Sequence, residues 1–229
     1  MKQIIINNIR VDVIRKNIKN MHLVVYAPSG SVRISAPLRV RNDAIYLFAV
    51  SKLDWIKRHQ RKFKNQQRIL PSEYKDGESH YFQGRKYILR IKETEGSPRI
   101  DLKDKIYLDL FVKSGATLEY KKAVLNKWYR AGLKKALPEM IRHWEKKIGV
   151  KVNFFGVKQM KTKWGSCNIS RKRIWINLEL AKKSAEFLEY ILVHEMVHLL
   201  ERQHNKKFKS YMDHYLPNWK HLKDELNSC

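Results

Sequence analysis

An α+β fold is predicted, with a β-rich N-terminal part over residues 1–115 and a helix-dominated C-terminal part over residues 116–229. Short runs of β-branched and aromatic residues separated by turn signals fill the first part. Apolar residues recur at helical spacing through most of the second. A hydrophobic fraction of 43% over 229 residues is enough to bury a sizeable core. Only 9 Gly and 6 Pro are dispersed along the chain, which excludes low-complexity and disordered classes and leaves nothing that reads as a linker.

Residues 9–14 are the first expected strand. A hairpin follows over residues 21–36, with Leu23, Val24 and Val25 before, and Val32 and Ile34 after, a turn at Pro28-Ser29-Gly30. From Asn42, read as an N-cap, Ile45, Phe48, Ala49, Leu53, Ile56 and Phe63 recur at helical spacing. One helix ending short of Pro71 is expected, its far face carrying Lys57, Arg58, Arg61, Lys62 and Lys64. Strand character returns over residues 80–112, with a turn at Gln83-Gly84. Thr117, with Glu119 in the first turn, opens a long helix that continues past Pro138 to Gly149. Strands at 151–155 and 173–177 flank an extended or turning segment at 160–167. Ser184 then caps the most apolar helix, through Leu200, and a helical pair built on Phe208, Tyr211, Met212, Tyr215, Trp219, Leu222 and Leu226 closes the chain. No repeat is visible at a period of 20–50 residues.

The balance of 48 Lys+Arg against 22 Asp+Glu gives a net charge of +26. A field of that size favours polyanions and makes nucleic acid a candidate partner through a basic surface; the bland alternative is compositional drift, because the cations are spread along the whole chain. The longest apolar runs, such as Ile4-Ile5-Ile6, fall far short of the ~18 residues a spanning helix needs, so no membrane partner is expected. The first residues lack the apolar core of a secretory signal, and a cytoplasmic location is the expectation. Cys167 and Cys229 are expected to be free thiols.

Within the most apolar helix stands His194-Glu195-Met196-Val197-His198. Helical residues four apart differ by only about 40° in direction, so His194 and His198 share a face and can hold one zinc ion, with Glu195 placed to act as general acid/base on an attacking water. Two imidazoles and a carboxyl in a core helix need partners, and a metal supplies one. A catalytic zinc takes three protein ligands. His204, ten residues after His194, is the expected third, with Glu201, Glu186 and His214 as rivals. Its offset equals that of the last metzincin His, but Glu201 replaces the metzincin Gly, so the chain is not a metzincin. For His204 to reach the site the helix must end near Glu201 and fold back, and Asn205 suits a cap for the next helix.

Three segments together resemble the YgjP-like, SprT-related family of zinc-dependent hydrolases: residues 160–167 with Trp164-Gly165-Ser166-Cys167, residues 174–180 with Ile174-Trp175-Ile176-Asn177, and residues 194–208. The resemblance implies a zincin-like C-terminal part with its HExxH motif on a core helix, His194, His198 and His204 as metal ligands, and Glu195 as catalytic acid/base. One departure is Lys163, where Arg is expected before the Trp-Gly-Ser-Cys run. The family is described both as metallopeptidase and as nucleotide pyrophosphatase. The leading expectation is a zinc metallopeptidase acting on peptide or unfolded protein. The alternatives are a nucleoside triphosphate pyrophosphatase using the same metal site, and a nucleic-acid-binding protein with a structural zinc. Tyr211, Tyr215 and Lys161 are candidate oxyanion donors by type. Cys167 has a rival reading as a reactive thiol beside Lys161 and Lys163. The strand at Ile174 is expected at the sheet edge beside the active-site helix, where an extended peptide could add.

Overall fold

In the computed structural model, residues 2–26, 29–67 and 72–228 are described. Pro28, Pro71, Cys229 and the side chains of Lys62, Phe63 and Lys64 lie outside that description, as do the expectations attached to them. Contacts divide the chain into two units, Met1–Pro71 and Ser72–Cys229.

The first unit opens with a strand not foreseen in the sequence, β1 (Lys2–Ile6), which forms a hairpin with β2 (Ile9–Lys16). Its two-residue turn, Asn7-Asn8, takes positive φ at both positions, 46° and 64°. Asn tolerates that conformation, and the paired positive φ matches the twist of the flanking strands. β3 (His22–Tyr26) and β4 (Ser31–Pro37) form the expected hairpin, and β4 inserts parallel to β2 to give the order β1-β2-β4-β3. Val11, Val13, Val25, Val32, Ile34 and Ala36 share one sheet face and bury it against Ile45, Ala49 and Ile56. Those three lie on α1 (Asn42–Ser51) and α2 (Leu53–Gln67), so the single helix expected from residue 42 is two. The chain breaks at Lys52, where the Ser51 hydroxyl donates back to Phe48 O and competes with helical continuation. Asn42 is not the cap: Arg41 holds that position, and Asn42 Oδ1 accepts from Arg15 instead.

The second unit begins on the same plan. β5 (Ser79–Phe82), β6 (Arg85–Glu93), β7 (Arg99–Lys103) and β8 (Tyr107–Val112) pair in the order β5-β6-β8-β7, again parallel at the centre. Asn7 corresponds to Gln83, Val11 and Val13 to Tyr87 and Leu89, and Val32, Ile34 and Ala36 to Leu108, Leu110 and Val112, at a constant offset of 76 residues. The two sheets are a structural tandem repeat. Residue types differ at every one of these positions and the period exceeds 50 residues, so only the apolar alternation carries it.

Tyr87, Leu89, Leu108, Leu110 and Val112 share one core with α3 (Leu118–Ile148) and the elements after it, which places the second sheet in the C-terminal unit and the contact boundary ahead of residue 115. Thr117 caps α3 by accepting from Tyr120 N, and Gly149 closes it at a φ of 75°. A three-stranded sheet follows in the order β10-β11-β9, from β9 (Phe154–Lys158), β10 (Gly165–Asn168) and β11 (Arg173–Asn177). β9 starts later than expected because Lys151 and Val152 bond the Glu145 carboxylate at the end of α3. A 3₁₀ turn at Leu178–Lys182 leads to α4 (Ala185–Val197), α5 (Lys206–Tyr215) and α6 (Trp219–Ser228). The architecture is mixed α+β, and no helix of the described residues is long and apolar enough to cross a membrane.

Candidate metal centre

α4 is apolar almost all round, with Leu192, Val193, Met196 and Val197 fully buried, so its position is set by the core and not by its polar residues. It ends at Val197, earlier than expected, and the chain turns back over residues 198–204. Asn205 accepts from Phe208 N and starts α5, which brings His204 over α4. His204 Nε2 lies 3.0 Å from His194 Nε2, and one ligand atom from each of His194, His198 and His204 falls within 4.8 Å of the others. The buried ring of Phe208 packs against all three imidazoles, with centroids 4.7–5.0 Å away. Sequence spacing marked Phe208 as core but not as the floor of this cluster.

The rivals for third ligand stand elsewhere. Among the described residues the cluster contains neither Glu201, Glu186 nor His214. The Glu201 carboxylate accepts from Gln203 N, and its carbonyl lies 3.2 Å from His198 Nδ1. That carbonyl can only accept, so it selects the Nδ1–H tautomer and leaves the His198 Nε2 lone pair for the cluster. Burial, then the neighbouring His198, His204 and Lys223, push His194 down to about 3. Burial also holds His198 and His204 below the usual range. Three neutral imidazoles without a carboxylate among them fit a borderline divalent ion such as zinc.

Glu195 is 6% exposed, and burial pushes its carboxyl up to about 8 against the opposing charge of Lys163. Gly165 of β10 packs directly on it. The loop before β10 is held by Asn177, itself buried: its Nδ2 donates to Met160 O and Lys163 O, its Oδ1 accepts from Met160 N and Glu179 N, and its backbone N–H donates to Trp164 O. Sequence reading gave Asn177 no individual role. The edge-strand expectation for Ile174 is corrected, since β11 is the middle strand and β10 the edge. With Trp164 and Asn177 paired, antiparallel alternation turns the N–H and C=O groups of Gly165 and Cys167 toward the free edge.

β10, the imidazoles and Glu195 line a cleft of about 510 Å³ together with Tyr190, Lys163, Arg202 and Lys223. Tyr211, Tyr215 and Lys161 are not among its lining residues. Tyr190 is, and its place four residues before His194 on the same helix face was a signal available in the sequence. Burial and Glu195 push the Cys167 thiol up to about 12, which argues against the reactive-thiolate reading.

Residues 19–229 match the family model described as YgjP-like, metallopeptidase domain. No curated protein matches the chain. Among solved structures, the chain is similar to the metallopeptidase zymogen abylysin of Pyrococcus abyssi, at 18% identity and a TM-score of 0.36 over 38% of this chain and 89% of that one. It is also similar to the metallopeptidase zymogen jannalysin of Methanocaldococcus jannaschii, at 20% identity and a TM-score of 0.34 over 38% of this chain and 84% of that one.

Proposed function

The chain belongs to the YgjP-like family, and from that membership we propose that it is a zinc-dependent metallopeptidase acting on extended segments of peptide or unfolded protein. The observation that carries the reading is the convergence of three neutral imidazoles and one buried carboxyl beneath a free strand edge. His194, His198 and His204 would hold the ion. A bound zinc supplies Lewis acidity, polarising the scissile carbonyl and acidifying water. No fourth Cys, His or carboxylate joins the cluster among the described residues, which supports an open catalytic site over a closed structural one.

The remaining steps belong to the chain's own side chains. An extended substrate lies along β10 and exchanges backbone hydrogen bonds with Gly165 and Cys167, which fixes the scissile bond over the cluster. Glu195 takes the proton of the attacking water and returns it to the leaving amine. Burial pushes that carboxyl up to about 8, and its charged form would be favoured by a cation held by the three imidazoles, so that it can take up a proton near neutral pH. The Tyr190 hydroxyl, held protonated by a pKa pushed up to about 12, donates to the developing oxyanion.

The test is to offer the zinc-loaded full chain unfolded protein and, separately, nucleoside triphosphates. New peptide termini that disappear on zinc removal are the expected result. Triphosphate cleavage without peptide cleavage would replace this reading with a pyrophosphatase, and neither activity in zinc-replete protein would leave a non-catalytic metal site.

A further inference from the structure

The tandem repeat offers an internal comparison between two equivalent sheet faces. On each sheet one face is buried, and on the other an arginine rests on an aromatic ring. In the second repeat those arginines are neutralised. Arg90, 3.9 Å from the Tyr107 ring centre, pairs with Asp109 through two bonds of 2.6 and 2.8 Å, and Arg99, over Phe111, pairs with Asp101. In the first repeat they are not. Arg33 sits 5.0 Å from the Tyr26 ring centre and bonds its hydroxyl, but Arg33 Nε is buried without a partner. Asp12, its neighbour in register, is bonded to Gln3 instead. Arg10 on the same face has no ion-pair partner among the described residues.

Apolar surface accompanies these cations. Ile5, Val24 and Tyr26 are 67%, 43% and 39% exposed on this face, beside exposed His22 and Arg10. One end opens into a pocket of about 410 Å³ lined by Gln3, Arg10, Asp12 and Ser31, an amide, a cation, a carboxylate and a hydroxyl. The composition of the unit agrees. Residues 1–71 hold 15 Lys/Arg but only 3 Asp/Glu, whereas residues 72–229 hold 33 and 19, so the two units are equally rich in cations and the first is depleted of acids.

The geometry points to the open face of the first sheet as a binding platform for single-stranded nucleic acid. Tyr26 and the flat Arg33 guanidinium offer stacking surfaces, the exposed Arg10 faces the phosphates, and the Gln3–Asp12 pocket offers a donor and an acceptor to a base edge. Four strands at about 4.8 Å spacing span roughly three nucleotides. A duplex hides its base faces, so the exposed ring and aliphatic surface select for unpaired bases.

The test is fluorescence anisotropy of the full chain, with and without zinc, on short single-stranded DNA and RNA and on matched duplex. Single strands should bind more tightly than duplex, weakening roughly tenfold between about 50 and about 200 mM salt, as two or three phosphate contacts require. Arg10→Glu and Tyr26→Ala, both at exposed positions, should each cost roughly tenfold, while Lys103→Glu, the same charge reversal on the second sheet, should cost little. Absence of binding at low salt, equal affinity for duplex, or unchanged affinity of Arg10→Glu would overturn the proposal. None of these readouts depends on hydrolysis, so the metallopeptidase reading can fail without touching this one.

Discussion

Gly165 lies so close to Glu195 that a Cβ added to it would sit 2.7 Å from Glu195 Oε1 and 2.8 Å from its Cγ, with Ile191 Cγ2 at 2.9 Å. All three distances are shorter than side-chain atoms tolerate. A strand edge and a buried carboxyl can occupy this space together only because residue 165 has no side chain. Glu195 is therefore positioned from above by β10 as well as from below by α4, and β10 is positioned by the four hydrogen bonds that Asn177 makes to Met160, Lys163 and Trp164.

Gly165→Ala should displace the Glu195 carboxyl without touching the imidazoles. The expected result is full zinc stoichiometry with kcat reduced on the order of 10-fold to 10²-fold, because a misplacement of about 1 Å at a reacting group has that effect. KM should change less. Near-normal kcat with intact zinc would show that the carboxyl position is not held by this contact.

How much of this was legible in the sequence depends on how local each signal is. His194 and His198 are set by one helical period, and His204 follows from the need for a third ligand and a chain reversal at Asn205. Gly165 and Asn177 act through approaches between residues 13 to 30 positions apart, and no periodicity encodes them. The repeat was hidden for a related reason: Val11 and Tyr87, or Ala36 and Val112, share only an inward direction. The break at Lys52 was hidden because Ser51 bonds its own helix without interrupting the apolar pattern.

The imidazole cluster should bind about one zinc ion per chain. His194→Ala, His198→Ala and His204→Ala should each lower zinc retention in elemental analysis and abolish the rise in Tm that excess zinc gives the parent. His204 is the discriminating position, since it alone lies beyond the chain reversal that follows α4. Undiminished zinc in His204→Ala would remove it from the ligand set.

Tyr190→Phe tests the oxyanion role. The ring fills the same volume, so folding and zinc content should persist, and the loss should appear in kcat at roughly 10-fold to 10²-fold with KM little changed. Equal turnover by the Phe variant would transfer the role to another donor, with Lys163 next in the cleft.

Zinc affinity should resist mild acid. Protons compete with the metal for imidazole, and three histidines at their ordinary value of ~6.5 would together lose up to about 10³-fold in affinity for each pH unit below it. Here burial depresses all three, His194 to about 3, so His194 stays unprotonated well below 6.5 and His198 and His204 take up protons only below it. A titration from neutral pH to about 5.5 should show a loss far smaller than that. A full thousandfold loss over that unit would mean that the imidazoles are solvated in the metal-free protein.

Glu195→Gln separates catalysis from metal binding. The amide keeps the shape of the carboxyl beneath Gly165 and cannot accept a proton, while the three imidazoles are untouched. Burying a neutral amide where burial already disfavours a charge should also leave stability at least as high as in the parent above the raised pKa of about 8, where the parent must hold an ionised carboxylate in a dry site. The expected variant is therefore folded, zinc-replete and slower by about 10²-fold or more on any substrate the parent hydrolyses. Two outcomes would sink the mechanism in different ways. Loss of zinc would make Glu195 a ligand, and retained turnover would require another base in the cleft, for which no second carboxylate lines the walls among the described residues.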